Sequence, residues 1–152
     1  MEIISYGNSD IGKVRDNNED FFAIKNTGEN EHLLVVADGM GGHQAGNVAS
    51  ELGVETFVKQ YETLRKRGTS IPSSLFQSIK RSNSAVLKKA SSELDKRGTG
   101  TTFSALLISK QKANIVHIGD SRIYMVRDGI ISIIPSSFRI RFHMFDYAVV
   151  SI

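Results

Sequence analysis

With 152 residues the chain is long enough for one domain with a real core, and nothing in its length calls for two. Hydrophobic residues at 40% and charged residues at 23% exclude a disordered polymer, and a formal charge of +3 without basic-aromatic alternation before the tail excludes an obvious nucleic-acid surface. The absence of cysteine excludes disulfides, thiolate catalysis and zinc-thiolate sites and permits a reducing compartment.

The N-terminus lacks a basic region followed by an apolar one, and no apolar run approaches ~18 residues. A soluble cytoplasmic protein with no membrane partner is therefore expected. Ile3 to Tyr6 reads as a first strand, broken by Gly7 to Asp10. After it comes the polar, acid-rich stretch Arg15 to Asp20, then Phe21 to Ile24 as a second strand with Glu19 and Asp20 at its start. The turn signal at Asn26 to Asn30 makes this strand antiparallel to the next apolar run, Leu33 to Ala37, which ends on Asp38. Read this way, Asp38 sits at the tip of a buried strand, and Glu19, Asp20, Asp38 and Arg15 converge at one end of the sheet.

Gly39, Gly41 and Gly42 let the backbone turn sharply after Asp38, and His43 falls near the start of the following helix. Two phosphate loops share this strand, turn and helix layout, and neither fits. A P-loop started at Gly41 reaches Gly46 but continues with Asn47-Val48 where Lys and Ser or Thr are required. A dinucleotide fingerprint started at Gly39 places its third glycine on Gln44. A turn carrying Asp and His without Lys suits a hard metal ion better than a nucleotide phosphate.

Val54, Phe57, Val58, Tyr61 and Leu64 recur at helical spacing, predicting an amphipathic helix from about Gln44 to Arg67 whose Arg65-Lys66-Arg67 cluster reads as a solvated end. A second helix starts at Ile71-Pro72-Ser73, carries the stripe Leu75, Ile79, Val86, Ala90 and Leu94, and closes at Gly98. The short turn between them predicts an antiparallel pair on one sheet face. Thr101 to Ser109, Ala113 to Gly119 and Ser121 to Arg127 read as strands, with turns at Lys110 to Lys112 and Asp128-Gly129 and a bend or bulge at Gly119-Asp120. Strands, two helices and strands again indicate an antiparallel α+β sandwich.

Four blocks in register resemble the metal-dependent protein phosphatases of the phosphatase 2C family, in their bacterial form. They are Gly12 to Asp20, Val36 to His43, Gly100-Thr101-Thr102, and His117 to Tyr124. The likeness runs from about Ser5 to Gly129. It implies a β-sandwich flanked by helix pairs, incomplete here, with one helix pair and part of the sheets present. It also implies two Mn²⁺ or Mg²⁺ ions whose bridging water attacks phosphoserine or phosphothreonine in protein substrates, with a third, weaker site.

By the same resemblance Asp38 bridges both metals, the Gly39 carbonyl binds one, and Glu19 reaches a metal through water with Asp20 in support. Asp120 belongs to the third site, Arg15 grips the phosphate, and His43 is the general acid. The residues alone leave blander readings open. Arg15 and Glu19 also read as a surface ion pair, His43 as a polar helix-start residue, Asp38 as a turn former or cap, and Asp120 as a bulge residue. His117 reads as a hydrogen-bonded structural histidine, and Thr101 and Thr102 as structural.

From Ile130 onward the family pattern is not followed, and residues 130–152 hold one carboxylate, Asp146, in no recognisable context. The expectation is residues 1–129 as the N-terminal part of a phosphatase 2C-like domain, truncated towards its C-terminus, and 130–152 as a divergent tail. The alternation of Phe138, Ile140 and Phe142 with Arg139, Arg141 and His143 gives that tail the pattern of an edge strand. Weak metal binding, impaired activity and exposed sheet surface are expected, the alternative being a non-catalytic phosphoprotein-binding or regulatory remnant or a non-functional gene fragment.

Overall fold

The computed structural model describes residues 3–28, 30–41, 45–92, 98–134, 139–141 and 147–151. Strands β1 (Asp20–Gly28) and β2 (Glu31–Met40) form an antiparallel hairpin that turns through Asn30, held at φ +61°. Along β2 burial alternates, so that Leu33, Val35 and Ala37 face the helices while Leu34, Val36 and Asp38 lie on the opposite face.

Helix α1 (Ala45–Lys66) buries Val54, Phe57, Val58, Tyr61 and Leu64, the stripe its spacing predicts. It ends in a Schellman motif: Gly68, at φ +77°, donates to the Arg65 carbonyl and Thr69 to that of Leu64. Helix α2 (Ile71–Ser92) follows at once, with Pro72 in its first turn, where a missing N–H costs little. Residues 93–97, which include the expected stripe residue Leu94, lie outside the described residues. The two helices pack together through small side chains, and the Ser82 hydroxyl donates to the Gly53 carbonyl at 2.7 Å. Both cover one sheet face. Fully buried Leu33, Phe57, Tyr61 and Leu107 centre that core, each contributing about 2 kcal/mol of apolar burial.

Strands β3 (Gly100–Thr101), β4 (Phe103–Ser109) and β5 (Lys112–Ile118) complete the helix-facing sheet, in the order β1-β2-β4-β5-β8 with β3 on β2. The edge strand β8 (Arg139–Arg141) pairs with β5, as the alternation in the tail predicts. A second sheet runs β7-β6-β9, from β6 (Arg122–Arg127), β7 (Ile130–Ile133) and β9 (Tyr147–Ser151). Lys110-Gln111 and Asp128-Gly129, all at positive φ, make two-residue hairpin turns of the kind that matches strand twist. Among the described residues every ladder is antiparallel.

Two expectations are corrected. Ile3 to Tyr6 is not a strand: Ile3 packs on Leu106, Ile108 and Ala113, while a side chain on Gly7 would meet the Phe22 ring. The segment therefore crosses the open sheet face from β4 and β5 towards β1, a direction in which no ladder can form. Arg65 is not a solvated end residue either. Its guanidinium donates to Glu31 at 2.6 Å and to the Thr69 carbonyl, and the Tyr61 hydroxyl donates to the same carboxylate at 3.1 Å.

Candidate metal centre

Asp38 does not end its strand. The ladder continues through Gly39, opposite Thr101, and Met40, opposite Gly100, because the short β3 extends the sheet beyond β4. Asp38 is thus held within β2, and its direct partner across the β1 ladder is Asp20. Two carboxylates opposed on one sheet face repel each other, and a cation or a proton between them relieves that repulsion.

Glu19 comes to the same place through its backbone. Its carbonyl accepts from the Gly39 N–H at 3.0 Å and from the Ser50 hydroxyl at 2.6 Å, tying the start of β1 to the end of β2 and the first turns of α1. Its carboxylate lies against Gly46, where a Cβ would come within 2.6 Å of Cδ. A Cβ on Gly39 would overlap the Gly46 carbonyl. These two glycines let the strand end, the helix start and the carboxylate share one small volume.

A cavity of about 260 Å³ opens there, lined by Asp10, Arg15, Asn18, Glu19, Asp20 and Asp38 together with Gly39. The convergence of Glu19, Asp20, Asp38 and Arg15 expected from the hairpin is therefore present. Burial and then the neighbouring Asp38 push the Asp20 carboxyl above its usual range, Glu19 adds to the effect, and a hydrogen bond with Ser9 opposes it. Asn18 caps the approach, accepting from the Asp20 N–H and donating to Ser9. Arg15 lines the cavity without an ion pair to Glu19 among the described residues.

The donor chemistry fits a hard divalent cation. Opposed carboxylates and backbone carbonyls are oxygen ligands, and open cavity volume leaves coordination positions for water. Among the described residues no group of three or more His, Cys, Asp and Glu side chains forms a self-sufficient cage. Asp120 is exposed in the bend after β5 and does not line the cavity. The bend is tied to Asp38 indirectly: the Ser121 hydroxyl donates to Thr102 Oγ1 at 2.7 Å, and that oxygen accepts the Asp38 N–H at 3.0 Å. His43 lies outside the described residues.

His117 has both ring nitrogens occupied, Nδ1 by the Ser104 hydroxyl at 2.8 Å and Nε2 by the Gly119 carbonyl at 3.1 Å. A carbonyl can only accept, so Nε2 carries the proton and the ring is a structural strut. Thr101 and Thr102, read from the sequence as structural, hold the backbone of the centre. Both threonines bond to the Asp38 backbone, and the Gly100-Thr101-Thr102 block was the only signal for them.

The paired helices on an antiparallel sheet are similar to part of the fold of bacterial serine/threonine phosphatases. The crystal structure of the catalytic domain of PstP in complex with two manganese ions superposes with a TM-score of 0.71 at 38% identity, over 86% of this chain and 54% of that one. Staphylococcus aureus Stp1 gives 0.70 at 32% identity, over 84% of this chain and 51% of its own.

The protein phosphatase 2C sequence family matches residues 9–138, and the chain belongs to it. In sequence it is 40% identical over 121 residues to the serine/threonine protein phosphatase PstP of Mycobacterium tuberculosis, covering 80% of this chain and 22% of that protein. It is 35% identical over 122 residues to the serine/threonine phosphatase stp of Listeria welshimeri, covering 79% of this chain and 48% of that protein. The chain spans about half the length of the Listeria relative and less of the mycobacterial one. Among the described residues no helix is long and apolar enough to cross a membrane.

Proposed function

We propose that this chain carries a protein serine/threonine phosphatase site that removes phosphate from phosphoserine and phosphothreonine in cytoplasmic phosphoproteins, aided by two Mn²⁺ or Mg²⁺ ions. The observation that carries the reading is the opposition of Asp20 and Asp38 in a cavity that also receives Glu19 and Arg15. Asp38 and the Gly39 carbonyl would hold the metals, with Glu19 acting through water, Asp20 in support, and Asp120 serving a weaker third site. When bound, such a pair supplies Lewis acidity and makes water nucleophilic at neutral pH.

The protein groups divide the remaining work. Arg15, on the rim of the cavity, offers a two-pronged fork to the phosphate oxygens. His43 has the intrinsic pKa to hand a proton to the departing seryl or threonyl oxygen. In this reading residues 1–129 carry the catalytic part and 130–152 form a divergent tail, of which the family match reaches as far as 138 and whose strands β7, β8 and β9 join the sheets. Two opposed carboxylates and a carbonyl give few anionic contacts to offset cation dehydration, so metal binding is weak and turnover slow.

The test is phosphate release from a phosphothreonine peptide. Slow release that needs Mn²⁺ and stops with a chelator is expected. Release indifferent to the chelator, or none at saturating Mn²⁺, would contradict the proposal.

A further inference from the structure

We propose that Thr102 is a positioning residue that sets the Asp38 carboxylate for metal binding by replacing a ladder bond with a side-chain bond. This rests on the metal-site reading above. In a regular antiparallel ladder every second opposed pair exchanges both N–H to carbonyl bonds, and Asp38 opposite Thr102 falls on such a position in the register that links Val36 with Ser104 and Met40 with Gly100. Asp38 and Thr102 make only one of them, from the Thr102 N–H to the Asp38 carbonyl at 2.8 Å. The Asp38 N–H turns instead to Thr102 Oγ1, at 3.0 Å.

The displaced carbonyl is not left bare. Thr101 Oγ1 lies 2.9 Å from the Thr102 carbonyl and 3.0 Å from that of Asp38, so its one proton is shared between them. The ladder is interrupted at this point, between Val36 opposite Ser104 and Gly39 opposite Thr101. The Thr102 hydroxyl takes the Asp38 N–H in place of the missing carbonyl, a role that an apolar side chain of the same shape cannot fill. The same oxygen accepts the Ser121 hydroxyl, and a Cβ on Gly119 would come within 2.9 Å of Thr102 Cβ, so the Asp120 bend is packed on this residue. Thr102 therefore fixes the Asp38 backbone and joins it to the Asp120 bend.

The experiment titrates Mn²⁺ into the full chain and reads free Mn²⁺ by electron paramagnetic resonance, with circular dichroism reporting the fold of each variant. Thr102→Val keeps the shape and removes the hydroxyl, and Mn²⁺ binding is expected to weaken about tenfold, as for other residues that orient metal ligands. Thr102→Ser restores the hydroxyl and should bind within about twofold of the parent. A purely structural role would lower stability in Thr102→Val without changing the affinity of the folded fraction. Should Thr102→Val fail to fold, Ser121→Ala takes its place, with an expected weakening of about fivefold, the worth of one neutral hydrogen bond.

A folded Thr102→Val, or in its stead Ser121→Ala, that binds Mn²⁺ as tightly as the parent overturns the inference and leaves the metal site standing. A parent chain that binds no Mn²⁺ overturns both.

Discussion

Asp20 and Asp38 stand directly opposite each other across the β1–β2 ladder, on the sheet face turned away from the helices. A sheet built only for stability would not pair two carboxylates there, since like charges in direct opposition cost free energy.

That relationship has a measurable cost in the metal-free chain. Asp20→Asn removes one charge and should raise metal-free stability by on the order of 0.5 kcal/mol. It should also reduce the stabilisation gained on adding Mn²⁺. Urea midpoints with and without Mn²⁺ measure both effects, and a variant that loses stability without metal would count against the repulsion argument.

Gly46 and Gly39 make a second, contrasting test. A methyl on Gly46 meets the mobile Glu19 carboxylate, with Oε2 at 2.7 Å, whereas one on Gly39 meets the backbone carbonyl of Gly46. Gly46→Ala should therefore fold within about 1 kcal/mol of the parent while its displaced Glu19 costs about tenfold in Mn²⁺ affinity. Gly39→Ala should lose about 3 kcal/mol or fail to fold, because backbone cannot swing aside.

At the far end of the sheet, the Glu31–Arg65–Tyr61 cluster supplies a pH signature. Burial pushes the Glu31 carboxyl up, but its hydrogen bonds from Arg65 and Tyr61 outweigh this and hold it below its ordinary 4.5. A lowered carboxylate stabilises the fold above its unfolded value, and that contribution disappears as pH falls through the folded value. Glu31→Gln should cost about 2 kcal/mol at pH 7, with the gap to the parent narrowing as the pH falls below the carboxyl's ordinary 4.5. Asp20, with its carboxyl pushed up, acts in the opposite sense, so the difference between parent and variant is the quantity to follow.

Much of this was legible in the residues. The helical stripe of α1, the Lys110 and Asp128 turns and the convergence of Glu19, Asp20 and Asp38 follow from spacing and turn chemistry. What could not be read depends on partners distant in the chain. Ile3 to Tyr6 is rich in residues that favour strands, but such a preference depends on a neighbouring strand that the segment itself does not announce. Arg65 looked solvated because its partner Glu31 lies 34 residues away on another element. Asp38 looked like a strand tip because nothing in Leu33 to Asp38 announces that Gly100-Thr101 will extend the ladder past it.

The most direct test is Mn²⁺-dependent hydrolysis of an aryl phosphate by the parent chain and by Asp38→Ala, each confirmed folded. The account predicts turnover in the parent that requires Mn²⁺ and is lost in Asp38→Ala. Equal turnover in the two chains would contradict it.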